Sequence, residues 1–238
     1  NARRYWDFLY GGKTRRIERQ IHHYGSSMNA LPVLAAYRER PSDFYLLRVG
    51  YSGTLGSLTN IDQEGFASAA FHAWPQTLAF DPYSGDYGPS FFGHAFGTAP
   101  YVVRHDDLGW LCFGGNLTQT KTEVVVTPLD SQRARVYLAP LGLWLTLDAG
   151  RFEAVVVDPK TRAVRVALAP ATAYTKVARL RIEQPARVEG IGIFRPRATL
   201  RQDRDAFEIP LGAQSTAIEL WNGVGSAGSA AETDRGGT

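Results

Sequence analysis

The sequence has little cysteine, little excess charge and no long hydrophobic run. Cys112 is the only cysteine among 238 residues, which excludes an internal disulfide framework and a zinc site built on several cysteines. It stands in the apolar run GWLCF (109–113), so we interpret it as a small buried hydrophobe rather than a nucleophile. Lys and Arg (26) nearly balance Asp and Glu (23), and this charge does not favour a nucleic-acid partner.

Membrane and targeting segments are also missing from the sequence given. No apolar run approaches the length of a membrane span, so we expect no membrane partner. No signal-peptide pattern stands at its start, and we expect a mature product or a fragment of a longer protein. What is present is a 44% hydrophobic, 12% aromatic chain, enough to build one large domain or two small ones.

The character of the sequence changes near residue 100. Before it, short apolar segments separated by Gly, Tyr and Ser predict helices over 3–10, 13–24, 32–40, 43–49 and 64–73. Ser42 is the expected N-cap of the fourth helix, with Asp43 in its first turn. Pro32 is expected in the first turn of the third helix. After about residue 108 the segments alternate with a period near two and predict about nine strands.

These patterns predict an α+β fold in which helices precede an antiparallel β-sandwich. We expect a helical region over 1–100, a sandwich over 101–222 and a flexible tail over 223–238. Within the sandwich, Asp148, Ala149 and Gly150 predict a hairpin turn, and a second turn is predicted over 158–161, with Pro159 at its second position.

The polar stretch DPYSGDYGPSFFGHAFG (81–97) contains the strongest candidates for chemistry. Asp81 and Asp86 lie five residues apart in a loop too rich in Gly and Pro for a helix. Glu64 stands at the start of a predicted helix. Pairs of carboxylates serve as acid and base, or acid and nucleophile, in glycosidic bond cleavage. The simpler interpretation of Asp81 and Glu64 is turn formation and helix capping, which leaves Asp86 as the leading catalytic candidate.

Aromatic, histidine and amide side chains accompany these carboxylates. Rings interleaved with polar groups suit a sugar cleft, because the CH faces of a pyranose stack on rings while hydroxyls take polar partners. The expected substrate-binding residues are His23, Tyr24, Asn29, Trp74, Tyr83, Tyr87 and His94. An alternative is a lyase, with Tyr24 or His23 as acid and base and with Asn29 or Arg48 against a uronate. No HxH or HxxxH spacing supports a metal site, so we expect neither metal nor cofactor.

Four motifs carry a family resemblance: HHYGSSMNA (22–30), RVGYSG (48–53), GFASAAFHA (65–73) and YSGDYGP (83–89). With the order of helices before sandwich, they resemble a bacterial and fungal family of unknown function that often stands near glycoside-hydrolase annotation. The plan is similar to the C-terminal half of an (α/α)-toroid carbohydrate-active enzyme, over residues 1 to about 185. This resemblance implies a secreted or periplasmic protein with a carbohydrate substrate.

A complete toroid has about a dozen helices, whereas about five are predicted here. We therefore expect upstream helices of the same protein, or a companion chain, to complete it. The resulting expectation is a glycoside hydrolase that cleaves a poly- or oligosaccharide. A polysaccharide lyase and a non-catalytic carbohydrate-binding or structural module stay open as alternatives.

Overall fold

A computed structural model describes residues 6–11, 17–55, 99–131 and 133–223, with side chains from residue 30 onward. The elements before residue 100 are β1 (Trp6–Gly11), β2 (Ile17–His22), α1 (His23–Glu39) and α2 (Phe44–Thr54). The strands that follow are β3 (Tyr101–His105), β4 (Gly109–Phe113), β5 (Gly115–Gln119), β6 (Val124–Pro128), β7 (Arg135–Leu138), β8 (Leu143–Asp148), β9 (Gly150–Val157), β10 (Val164–Pro170), β11 (Val177–Glu183), β12 (Phe194–Pro196), β13 (Arg201–Asp203), β14 (Ala206–Pro210) and β15 (Thr216–Asn222). This is an α+β fold, as predicted.

Strands β3 to β15 form two open sheets that pack face to face. One sheet has six strands in the order β12-β15-β10-β9-β6-β5, and the other has seven in the order β13-β14-β11-β8-β7-β3-β4. The described pairs are antiparallel except β3 with β7, which run parallel. Alternate Val and Leu side chains point inward from both sheets, as the period of two requires. Buried examples on the two sides are Leu145 and Leu180 of the seven-stranded sheet and Val155 and Val166 of the six-stranded sheet.

The two helices cover only part of the outer face of the seven-stranded sheet. Leu34 and Tyr37 of α1 and Leu47 of α2 form a second buried cluster with Tyr101 and Tyr137 of the sheet. The helices themselves cross closely at Gly50, where an added Cβ would lie 2.7 Å from Leu34 Cγ. The rest of this outer face, over the ends of β7, β8 and β11, has no helix on it in the part of the chain that the structure describes.

The first two predicted helices are wrong. The backbone over 6–11 and 17–22 forms an antiparallel hairpin in which Trp6 pairs with His22 and Gly11 with Ile17. Aromatic residues favour strands, and the four-residue spacing of Ile17 and Ile21 fits one face of a strand as well as one face of a helix. Gly11, which was expected just past the end of a helix, is the last residue of β1.

The third and fourth predicted helices exist but have different ends. Helix α1 begins at His23, so Pro32 lies inside it rather than in its first turn. The N-cap of α2 is Asp43, whose side chain accepts from the Leu46 backbone N–H at 3.3 Å, and not Ser42. Helix α2 continues through Gly50, because the close contact with Leu34 needs a residue without a side chain there.

The predicted hairpin at residues 148–150 is also wrong. Strand β8 pairs with β7 and β11, whereas β9 pairs with β6 and β10, so this turn carries the chain from one sheet to the other. Ala149 makes the corner with a φ of 63°. A second crossing lies at Gly114, between β4 and β5, with a φ of 88°. Strands β3, β4 and β5 were missed by the sequence pattern, whereas the hairpin of β9 and β10 is confirmed.

The predicted helix over 64–73 and the tail over 224–238 lie outside the described residues. The boundaries of the three expected regions stay predictions. Within the described ranges, no helix is long and apolar enough to cross a membrane.

Candidate functional site

The predicted catalytic residues fall on the connection between α2 and β3. The structure describes this connection up to Leu55 and again from Ala99. Seven predicted site residues lie outside the described residues: Asp86, Asp81, Glu64, Tyr83, Tyr87, His94 and Trp74. Their roles stay predictions.

Three further predicted residues lie on α1. His23 and Tyr24 open this helix, and Asn29 follows in its second turn. The sequence pattern placed the two histidines at the end of a helix, but His22 ends β2 and His23 begins α1. Their side chains lie outside the described part of the chain, so their proximity to the other candidates is not tested.

An apolar cleft of about 300 Å³ lies between α2 and the hairpin of β3 and β4. Phe44 and Tyr51 of α2 face His105 and Phe113, with ring centroids 5.4 and 5.7 Å apart. Arg48, the cation of the lyase alternative, lines the cleft, and its guanidinium lies 5.4 Å from the Tyr45 ring. A cleft lined almost wholly by carbon lacks the polar groups that sugar hydroxyls need.

A groove of about 620 Å³ at one end of the six-stranded sheet combines a ring with polar groups. We call it the Trp221 groove. It is bounded by the β9–β10 turn, the end of β15 and the segment around Gly190. Alternation along β15 buries Ile218 and Leu220 in the core, which directs Glu219 and Trp221 outward. Trp221 keeps 44% of its surface exposed.

Charged side chains of the Trp221 groove form ion pairs with one another beside the indole. Arg165 Nη2 lies 3.2 Å from Glu123 Oε1, and Arg197 Nη1 lies 3.1 Å from Glu219 Oε2. Arg165 and Glu219 also stand opposite each other in the register of β10 and β15. Three arginines and three carboxylates line the groove in all: Arg162, Arg165, Arg197, Glu123, Asp158 and Glu219. Their formal charges cancel, so the groove offers donors and acceptors without excess charge.

The walls of the Trp221 groove are held by short hydrogen bonds. Arg162 Nη1 donates to the Gly190 carbonyl at 2.8 Å, and the Gly192 N–H donates to Asn222 Oδ1 at 2.6 Å. Arg162 itself has a φ of 60°, a conformation that is strained for a residue with a side chain. Hydrogen bonds from the Thr161 side chain and from the Thr161 and Lys160 backbone N–H groups lower the pKa of Asp158. These contacts keep the turn beside Trp221 in one arrangement.

The outward row beyond Arg165 and Glu219 has only small side chains. The register places Ala217, Ala167 and Ala154 side by side across β15, β10 and β9 in this row. Methyl groups leave the backbone of the sheet open to a ligand lying across it.

The comparisons with known proteins concern almost the whole chain. A family model described as a family of unknown function, DUF5695, matches residues 1–218. The chain belongs to the DUF5695 family. Searches of curated proteins and of solved structures found no match. The predicted membership of a family of unknown function is confirmed, whereas a link to glycoside hydrolases stays a prediction.

Sequence reasoning missed the Trp221 groove in this DUF5695 chain. The sequence patterns singled out no charged residue and no Trp of the β half as a candidate for binding. The available signal was the alternation in TAIELWN (216–222), which places Glu219 and Trp221 on one face. The neighbours from β6 and β10 come from distant parts of the sequence, so only the strand order brings them together.

Among the described residues, no group of three His, Cys, Asp or Glu side chains is arranged to hold a metal ion. Burial raises the pKa of the Cys112 thiol from 9.0 to about 12. The thiol therefore stays protonated near neutral pH, in line with its interpretation as a packed side chain.

Proposed function

We propose that this chain is part of a carbohydrate-active protein and that the Trp221 groove holds a glycan. The observation that carries the proposal is the exposed indole of Trp221 beside the ion pairs of Arg165 and Arg197. A pyranose ring presents CH groups that stack on an aromatic face, and its hydroxyls bond to charged donors and acceptors at the edge. The alanine row beside the groove fits further sugar units of the same chain.

Binding at Trp221 is tested by isothermal titration calorimetry of the intact chain with neutral oligosaccharides of glucose, xylose, mannose and galactose. Truncating an aromatic anchor at the centre of an interface typically costs about 2 kcal/mol or more. We expect Trp221→Ala to weaken binding by about thirtyfold. Tyr174→Ala is the matched control, because Tyr174 is an exposed aromatic outside the groove. Wild-type affinity in Trp221→Ala, or equal losses in both variants, would contradict the proposal.

The proposal extends to glycoside hydrolysis by the candidates of the α2–β3 connection. Asp86 is the leading catalytic carboxylate, with Asp81 or Glu64 as its partner. Its support is the co-occurrence of carboxylates, rings and glycines in that stretch of sequence. The Trp221 groove then retains the glycan chain on the protein, and the connection provides the reacting groups.

Catalysis is tested by screening the same oligosaccharides, and uronate-containing ones, for new reducing ends and for ultraviolet absorbance. A hydrolase produces reducing ends alone, and Asp86→Asn abolishes them. A lyase product carries a new C=C bond and absorbs, which would assign the alternative reaction. Glycan binding without any product, retained after loss of Asp81, Asp86 and Glu64 together, would assign a binding module.

A further inference from the structure

The half of the seven-stranded sheet on which the described part of the chain places no helix carries a second groove, of about 580 Å³, with a different chemistry. We call it the arginine groove. Its charged lining comes from β7, β8, β11 and the turn between β13 and β14. The charged residues are Arg135, Asp148, Arg179, Arg181, Arg204 and Asp205. Four guanidinium groups face two carboxylates, so the lining has an excess of positive charge, unlike that of the Trp221 groove.

Strand register places these side chains in rows on the outer face. Arg135 of β7 and Arg181 of β11 both stand opposite Thr146 of β8 and flank it. The next row along the strands holds Asp148 beside Arg179. Two strand spacings separate the outer members of a row, which is about 10 Å. The groove therefore presents cations on both sides of a central strip of hydroxyl and carboxylate.

The carboxylates of this region do not satisfy all of its cations. Arg179 Nη2 lies 2.6 Å from Asp203 Oδ2, and Arg181 Nε lies 2.7 Å from Asp205 Oδ2. In contrast, Arg135 and Arg204 have no carboxylate within 4.0 Å among the residues that the structure describes. Unused guanidinium donors are what an anionic ligand satisfies.

Arg204 has a backbone conformation that is unfavourable for a residue with a side chain. Its φ is 56°, in the left-handed region that Gly, Asn and Asp adopt most readily in tight turns. This turn follows β13 and leads directly into β14, and it aims the side chain at the groove. A two-residue hairpin turn requires a positive φ, so the turn between β13 and β14 imposes this conformation on Arg204.

We propose that the arginine groove binds the carboxylate groups of an acidic polysaccharide, which rests on the proposed carbohydrate function and names its substrate class. Arg135 and Arg204 take the carboxylates, whereas Thr146 and Asp148 take the hydroxyls between them. Asp148 accepts from a sugar hydroxyl between the carboxylates, a contact that a bare inorganic anion does not offer. The two grooves lie on opposite outer faces of the sandwich, so occupation of one leaves the other open.

The test uses oligosaccharides of galacturonate, alginate and hyaluronan, each against its carboxyl-reduced form. We expect the wild-type chain to prefer at least one acidic form by tenfold or more, with a preference that falls as salt rises. The double variant Arg135→Ala/Arg204→Gly removes the preference. Arg187→Ala is the matched control, because it removes an exposed arginine outside the groove lining. Asp148→Asn still binds the acidic form, with a higher affinity.

Arg204→Gly alone separates binding from folding, because glycine relieves the strained φ. We expect this variant to melt at a higher temperature than wild type and to bind the acidic form more weakly. Equal binding of acidic and reduced forms, or a preference that survives in the double variant, would overturn the inference. If neutral glycans bind at Trp221 while acidity brings no advantage, only this inference fails. If no oligosaccharide binds at all, the proposed function fails with it.

Discussion

Three tyrosines pack at the interface of the helices and the sheet. We expect loss of the hydroxyl group to have opposite effects on stability at two of them. The rings of Tyr37, Tyr101 and Tyr137 pack with centroids 5.8 to 5.9 Å apart, and each ring is buried. Tyr137 Oη donates to the Arg38 carbonyl at 2.7 Å, and Arg38 Nη1 donates to Tyr101 Oη at 3.2 Å. Tyr37 Oη has no hydrogen-bond partner in the part of the chain that the structure describes.

The magnitude follows from what each hydroxyl does. An unsatisfied buried hydroxyl costs about 1–3 kcal/mol, and Tyr37→Phe removes it while keeping the ring. We expect the free energy of unfolding to rise by about 1 kcal/mol, because the lost packing of one oxygen offsets part of the gain. Tyr137→Phe instead leaves the Arg38 carbonyl, in the last turn of α1, without its donor. We expect a loss of about 1–2 kcal/mol.

The assay is urea unfolding of the intact chain followed by circular dichroism, with thermal melting as a second measurement. For a chain of this size, about 1 kcal/mol moves the melting temperature by about 2–4 °C. Tyr37→Phe and Tyr137→Phe are each other's controls, since both remove one oxygen from a fully buried ring of the same cluster. Equal destabilisation by the two substitutions would refute the reasoning, because packing rather than hydrogen bonding would then control the cost.

Two further predictions concern stability. Gly142 has a φ of 58°, and an added Cβ would lie 2.6 Å from the Ala186 carbonyl oxygen. Gly142→Ala is expected to lower the free energy of unfolding, measured in urea, by at least about 2 kcal/mol. Gly109→Ala is the control and should cost clearly less, because φ is 72° there but no atom lies within 4 Å of the added Cβ. Equal losses in the two variants would contradict the predicted clash at Gly142. Burial raises the pKa of Cys112 to about 12 and also raises the pKa of Tyr37 and Tyr137. The folded state keeps these protons after the unfolded chain releases them, so stability is full below about pH 9 and falls above it. We expect the free energy of unfolding to fall by about 1.4 kcal/mol per pH unit for each such group, as measured by unfolding at a series of alkaline pH values. In Cys112→Ala the fall should begin only at about pH 10. A free energy of unfolding that does not change with pH would refute this prediction.

Local patterns were sufficient where an element is defined by its own neighbours. The alternation of LWLTL (143–147) and VRVAL (164–168) predicted both strands and the side chains that enter the core. The turn over 158–161 was predicted because Pro159 and Asp158 have intrinsic turn preferences. Helix α2 was found from its apolar periodicity, although its N-cap moved by one residue to Asp43.

The same local patterns were insufficient where a tertiary contact determines the end of a helix or the pairing of a strand. Gly50 ends a helix by propensity, yet α2 continues through it because Leu34 packs against it. The turn at Ala149 has the composition of a hairpin, but the strands on its two sides pair in different sheets. Hairpin composition describes a reversal of the chain and contains no information about which strand lies alongside.

The sequence by itself determined that this protein is α+β, with a hydrophobic face on nearly every strand of its second part. Those properties depend on the side-chain period and on the burial of apolar surface, which are local. Only the tertiary structure decided where the two candidate grooves lie. Trp221 lines one groove with Glu123 and Arg165, and Arg135 lines the other with Arg204, across separations of tens of residues. Such neighbours are set by strand order and register, which a linear pattern does not contain.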